Sequence, residues 1–174
     1  KRCLERLLNG HLWIFDNDIK SIDSKYSNGN IVSIVDDRGR FIARGYINDN
    51  SKIIIRLLTF KNEIIDRDFF KKRVEDALKH RLGFGWMLEG TFRLVFSEGD
   101  FLPGLIVDKY ENVIVIQILT LGIEKWKEDI VDVLKDILAA VYYVSTAPSV
   151  AYAPPVQEIM RLAPIEQTLI ETDA

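Results

Sequence analysis

The stretch RLVFSEGDFLPGLIVDKY, residues 93–110, contains two apolar runs separated by the polar segment SEGD and a Pro-Gly step. Short β-branched and apolar runs on either side of turn residues predict a β-hairpin. The connection carries two acidic side chains, Glu98 and Asp100. Two close carboxylates can share acid and base roles in an active site, but carboxylates in a turn more commonly accept hydrogen bonds from backbone amides. We therefore predict that Glu98 and Asp100 fix this loop.

The segments around the hairpin predict a central α+β domain over residues 63–145. Apolar residues recur every three or four positions over 66–82 and over 122–138, which predicts two helices, the first capped by Asp66 or Asp68. Further short runs predict strands at 92–96, 104–108, 113–118 and 141–144.

The N-terminal part of the chain has a different period. Alternating, β-rich runs at 31–36, 41–46 and 53–59 are separated by the turn-forming segments DDRG and NDNS. Three short strands so close together predict a small barrel or sandwich. The change of period places a domain boundary near residues 60–66, so the fold class is mixed α/β, with an N-terminal domain over residues 1–62.

Charge is unevenly distributed along the 174 residues, although the net charge is only −3. Residues 1–60 contain ten Lys and Arg against seven Asp and Glu, an excess of +3. Five cations lie on or between the predicted strands, where they could meet an RNA backbone or form an ordinary solvated surface. These candidates are Arg38, Arg40, Arg44, Lys52 and Arg56.

His11 and Trp13 are two residues apart and can share one face of a strand. Such a pair can stack on a nucleobase or pack a corner of the domain. The basic residues of the first predicted helix, from Lys71 to Arg81, are interpreted as a solvated helix face.

Other kinds of site have little support in the sequence. His11, His80 and the one cysteine, Cys3, have no partners at metal-ligand or nucleophile spacing, so we predict no metal site and no catalytic residue. The glycines of LGFGWMLEG, residues 82–90, follow a helix and do not open one, which indicates a helix end and not a phosphate loop. The single cysteine and the lack of a long apolar run predict a cytoplasmic protein.

Residues 139–174 differ in composition from the rest, with seven of the nine alanines and four of the five prolines. We interpret residues 146–174 as a linker or as a poorly determined tail.

Four segments together resemble a known family. GHLWIF (10–15), FIARGYINDNSKIIIRLLT (41–59), IDRDFFKKRVEDA (65–77) and the stretch 93–110 are similar, in order and spacing, to PUA-domain-containing large-subunit rRNA methyltransferases. These are class I, S-adenosylmethionine-dependent enzymes, many of which form 5-methylcytosine in 23S rRNA.

The resemblance implies a layout and a function. The N-terminal domain would be a PUA-like small β-barrel that binds large-subunit rRNA, and the central α+β domain would follow it. A Rossmann-like domain with S-adenosylmethionine and the catalytic cysteine is expected in the full protein but not in this chain, which we expect not to bind the cofactor. Glu98 and Asp100 would then face the missing domain. The alternative is a stand-alone, non-catalytic RNA-binding protein with a PUA domain.

Overall fold

The computed structural model describes residues 2–23, 25–85, 90–111, 113–138, 141–146 and 168–170. They form two β-sheets with four α-helices, so the predicted mixed α/β class is confirmed. None of the helices among these residues is long and apolar enough to cross a membrane.

The N-terminal module consists of α1 (Arg2–Leu8) and one sheet. Its strands are β1 (Trp13–Phe15), β2 (Ile31–Val35), β3 (Phe41–Ile47) and β4 (Ile53–Thr59). They are antiparallel, in the order β1-β4-β3-β2. The three predicted strands are confirmed as β2, β3 and β4. The fourth strand, β1, has only three residues, which are too few to establish an alternating sequence pattern.

The central module begins with α2 (Arg67–Gly83), as predicted from its period. The Asp66 side chain accepts a hydrogen bond from the Phe69 amide at 2.9 Å and so caps the helix, as predicted. Phe70 and Val74 are buried, but Leu82, predicted to lie on the same apolar face, is 41% exposed. The helix ends one residue later, so Leu82 lies beyond the part that the sheet covers.

The second sheet has the order β5-β6-β7-β8-β9. Its antiparallel part is the predicted hairpin and its neighbour: β5 (Phe92–Phe96), β6 (Leu105–Tyr110) and β7 (Val113–Ile118). β8 (Val141–Thr146) and β9 (Thr168–Ile170) add to it in parallel. Thr146 and β9 lie in the segment interpreted as a tail and pair with each other in the sheet, and residues 147–167 and 171–174 lie outside the described residues.

The predicted helix over 122–138 is two helices, α3 (Leu121–Glu124) and α4 (Lys127–Leu138). The break falls at Lys125 and Trp126. The Trp126 ring packs on Phe70 of α2, with 5.1 Å between ring centroids, which ties the break to the core.

Two hydrophobic clusters hold the molecule together. One lies within the N-terminal module and includes Leu12, Ile55 and Leu57. The other lies between α2, α4 and the second sheet, but it also contains Tyr46 and Leu58 of the N-terminal sheet. The N-terminal sheet therefore contributes side chains to both cores, one from each of its faces.

Candidate RNA interface

Trp13 opens β1, and its half-buried ring packs against the N-terminal cluster that contains Leu12 and Ile14. The indole Nε1–H donates a hydrogen bond to Glu98 Oε1 at 2.8 Å. The His11 ring contacts the indole edge-on, with 5.6 Å between centroids. The two residues are thus brought together as predicted, and the polar edge of Trp13 is turned toward the central module.

Glu98 therefore faces the N-terminal sheet. Burial works to raise the pKa of the Glu98 carboxyl, but hydrogen bonds from Ser97 and Trp13 and the charge of Arg56 outweigh it and hold the pKa below its usual range. A carboxyl held in its charged form cannot supply a proton as a general acid near neutral pH. The contact is suited to docking one module on the other.

Asp100 has a different set of partners. Its carboxylate accepts hydrogen bonds from both terminal nitrogens of Arg81, at 2.5 and 2.6 Å, and from the Phe96 amide at 2.6 Å. Arg81 also donates to the carbonyl of Arg93 at 3.0 Å. The two acids of the SEGD segment thus point to separate partners, and Asp100 joins the turn to α2.

The interpretation of the α2 basic residues as a solvated face is wrong for Arg81, which is 9% exposed. It is also wrong for Arg73, which is half-buried and donates to the carbonyl of Leu58 at 2.9 Å. Both guanidinium groups bind carbonyl or carboxylate oxygens that the sequence pattern does not reveal. Lys72 and Lys79 are exposed, as predicted.

Arg44 and Arg56 are held against other parts of the chain. Arg44 donates to Asn62 Oδ1 at 3.0 Å and to the carbonyl of Glu63, in the connection to α2. Arg56 pairs across the sheet with both Trp13 and Tyr46, and its Nη1 donates to the carbonyl of Ile53 at 3.2 Å. These two cations lie on the face that meets the central module.

Arg38 and Arg40 lie instead in the turn between β2 and β3. Asp36 organises this turn by accepting hydrogen bonds from the backbone amides of both arginines, each at 2.9 Å, and from Arg40 Nε at 2.7 Å. The hydrogen bonds of the Arg40 side chain and of these amides lower the pKa of Asp36 to about 2. Lys52 is exposed in the turn between β3 and β4, at the opposite end of β3.

The predicted cations therefore form two sets. The inner set, Arg44 and Arg56, contacts the rest of the chain, and the outer set, Arg38, Arg40 and Lys52, is exposed at the turns. A phosphate backbone approaches exposed cations at a lower desolvation cost, so the outer set is the better placed to bind it.

Tyr46, which no sequence motif singled out, joins the two modules. Its hydroxyl lies 2.8 Å from the carbonyl oxygen of Pro103 and 2.9 Å from Thr120 Oγ1. Burial raises the pKa of Tyr46 to about 12. A Cβ atom on Gly122 would lie 2.1 Å from Tyr46 Cγ, so the ring packs directly on that glycine. The neighbouring Gly45 gives no signal for this contact, because its close approach is to the backbone of Arg56 in β4.

A Rossmann-like cofactor site uses a glycine-rich turn between a strand and a helix. Among the described residues, β7 leads through Thr120 into α3, where Gly122 lies. The Tyr46 ring and its hydroxyl fill that turn, so these residues do not fit S-adenosylmethionine.

Metal ligands and the cysteine thiol were the remaining candidate groups among the described residues. In the part of the chain that the structure describes, no group of three or more His, Cys, Asp or Glu side chains could hold a metal ion. Burial, together with the charge of Asp18, raises the pKa of the Cys3 thiol, which disfavours the reactive thiolate.

Residues 1–60 match the family model of the PUA-like domain. The chain is 40% identical over 133 residues to a ribosomal RNA large subunit methyltransferase I from Shewanella amazonensis, covering 72% of this chain and 32% of that protein. With the protein of the same name from Klebsiella pneumoniae, the identity is 35% over 136 residues, covering 75% of this chain and 33% of the relative.

Solved structures support the same fold. A structure described as a SAM-dependent methyltransferase from Streptococcus mutans superposes with a TM-score of 0.72 at 17% identity, over 84% of this chain and 39% of that one. A second, described as a methyltransferase complexed with SAH, gives a TM-score of 0.70 at 17% identity, over 83% and 38% of the two chains. The chain spans about a third of the length of its curated relatives. By sequence, the chain is a relative of the PUA-containing large-subunit rRNA methyltransferase family.

Proposed function

We propose that this chain is the RNA-recognition and central portion of an S-adenosylmethionine-dependent large-subunit rRNA methyltransferase of the 5-methylcytosine-forming type. Residues 1–62 are the PUA-like small β-barrel, and residues 63–145 are the central α+β domain. The cofactor and the chemistry belong to a Rossmann-like domain outside these residues, in a protein that acts in the cytoplasm. The observation that carries the proposal is the PUA-like match combined with the named rRNA methyltransferase relatives.

RNA binding is assigned to the outer surface of the N-terminal module. Its turns carry Arg38, Arg40 and Lys52, while Trp13 and Glu98 join the modules on the other face. This division leaves the docked modules intact while RNA binds. It also separates the cations that bind phosphate from those that support the fold.

The test is a salt series of binding between the purified chain and a large-subunit rRNA fragment. The double variant Arg38→Ala/Lys52→Ala should weaken binding and reduce the magnitude of the salt slope by about 1 for each lost phosphate contact. The matched control is Lys72→Ala/Lys79→Ala, which removes the same charge from exposed positions on α2. Equal effects of the two double variants would contradict a specific interface at the turns.

The inner cations give a second control. Arg44→Ala should lower the free energy of unfolding more than it changes the salt slope, because its partners are Asn62 and Glu63.

The alternative is a stand-alone, non-catalytic RNA-binding protein. The coding sequence after residue 174 separates the two: a strand followed by a glycine-rich turn supports the enzyme, and a stop codon supports the alternative. We also expect the isolated chain to show no calorimetric binding of S-adenosylmethionine. Measurable binding would contradict the assignment of the cofactor to another domain.

A further inference from the structure

A groove of about 750 Å³ opens where the N-terminal module meets the SEGD segment of the central module. We call it the inter-module groove. Its volume is within the range of about 300–1,000 Å³ that is usual for small-ligand sites. Its walls come from α1, from the beginning of β3, from the residue after β4 and from the residue after the SEGD turn. The side chains that matter below are Leu4, Leu8, Arg40, Phe41, Phe60 and Phe101.

The lining is apolar and partly open to solvent. Leu8 is 76% exposed and Phe101 is 38% exposed, so part of the apolar lining is accessible to a ligand from solvent. Three of the lining residues are phenylalanines, which offer flat surfaces to a planar ligand.

Phe101 is held in an unusual backbone conformation. Its φ of 57° lies in the left-handed region, which bulky residues rarely adopt. Arg73 lies over the ring at 5.3 Å from its centroid, and Arg73 is itself fixed by the carbonyl of Leu58. The ring is therefore supported in position at the edge of the groove.

The charged side chains that line the groove are Arg40 and its partner Asp36. Arg44 lies 5.8 Å from the centroid of Phe41, as Arg73 does near Phe101, so two of the three rings have a guanidinium beside them. Arg40 lines the groove with a side chain that is 70% exposed, although it pairs with Asp36. Aromatic rings flanked by arginine suit a ligand that is both flat and negatively charged, which is the chemistry of a nucleotide.

We propose that the inter-module groove binds an unpaired nucleobase of the RNA, stacked on Phe101, with the adjacent phosphate beside Arg40. The inference rests on the proposed function, since it specifies where and in which form that RNA is recognised. It requires residues of both modules, so an isolated N-terminal domain would lack part of the site. A base inside a duplex cannot enter, and the site therefore selects single-stranded or bulged segments.

The experiment compares a short single-stranded RNA carrying one 2-aminopurine with the same RNA in a duplex, using the complete chain. Stacking in the groove should quench 2-aminopurine fluorescence. Phe101→Leu, which keeps an apolar side chain but removes the ring, should weaken single-strand binding at least about five-fold, the lower end for base–aromatic stacking. It should leave duplex binding and the salt slope unchanged. The matched control is Phe84→Leu, because Phe84 is 72% exposed at the end of α2, outside the groove.

The outcomes distinguish the two proposals. If the wild-type chain binds RNA but Phe101→Leu behaves like Phe84→Leu, the groove is not the base site, while RNA binding stands. If the wild-type chain binds neither the single-stranded nor the duplex RNA, the proposed function fails and the groove proposal fails with it. Concentration-dependent dimers that Phe101→Leu abolishes would assign the groove to a second copy of the chain and would overturn the proposal.

Discussion

At the residue scale, Tyr46 shows how a single side chain joins the two modules. Its ring packs on Gly122, and its hydroxyl lies within hydrogen-bond distance of Pro103 and Thr120. The partners lie 57 and 74 residues away along the chain. A sequence pattern could indicate that Tyr46 belongs to a strand, but it could not indicate that its face of the strand contacts Pro103, Thr120 and Gly122.

Tyr46 should make stability depend on pH in the alkaline range. Its pKa is raised from 10.0 to about 12, so the folded state favours the neutral phenol. This contribution is fully present below pH 10 and is lost as the pH rises toward 12, by up to about 3 kcal/mol. Tyr46→Phe should cost about 1–3 kcal/mol near neutral pH, because it leaves buried partners unsatisfied.

The measurement is urea unfolding of the wild-type protein and of the Tyr46→Phe variant from about pH 9 to about pH 12, as far as they stay folded. The difference in unfolding free energy between the wild-type protein and the variant should narrow as the pH rises. The other titrating groups are common to both proteins, so their effects cancel in this difference. Tyr110→Phe is the control, since Tyr110 is 48% exposed at the end of β6. A constant difference for Tyr46→Phe would contradict the assigned pKa.

At the element scale, the SEGD turn is fixed to α2 by a buried ion pair. The side chains of Arg81 and Asp100 are 11% and 8% exposed, and each has further hydrogen bonds to the backbone of β5. Removing one partner leaves the other charge buried and uncompensated. The pair therefore sets how the turn, and Phe101 after it, lies against the helix.

Asp100→Asn should lower the free energy of unfolding by about 3–5 kcal/mol. The control is Asp108→Asn, because Asp108 pairs with Arg93, whose side chain is 41% exposed, and such pairs contribute at most about 1 kcal/mol. Chemical unfolding measures both. A loss no larger for Asp100→Asn than for Asp108→Asn would show that the buried pair is not a main determinant of stability.

Local patterns predicted most of the elements and few of the contacts. The period of α2 and its Asp66 cap are properties of neighbouring residues, and the structure confirms both. The break at Trp126 was missed because its apolar side chain fits the helical period while its ring belongs to the core. Arg81 was assigned to the surface because only the tertiary fold brings Asp100 to it, from 19 residues away.

At the scale of the whole molecule, the two modules share a core. Tyr46 and Leu58 belong to the cluster of the central module, and Trp13 bonds to Glu98 across the same contact. Lys125 of the central module also donates to Asn30 of the N-terminal module. The proposed boundary at residues 62 and 63 thus separates two sequence patterns but divides one packed structure.

This shared core predicts that the modules unfold together. Native-state hydrogen exchange should give the most protected amides of β3 and β6 the same free energy of opening, because Tyr46 and Leu58 of the N-terminal sheet belong to the core of the central module. Gly122→Ala should weaken this coupling: the new Cβ would lie 2.1 Å from Tyr46 Cγ, so the Tyr46 ring must move out of the contact that joins the modules. In that variant the β3 amides should exchange at a lower free energy than the β6 amides.

Gly83→Ala is the control, because no atom lies within 4 Å of its added Cβ and the helix should gain up to about 1 kcal/mol. Separate opening free energies in the wild-type protein would mean that the N-terminal module is an independent folding unit.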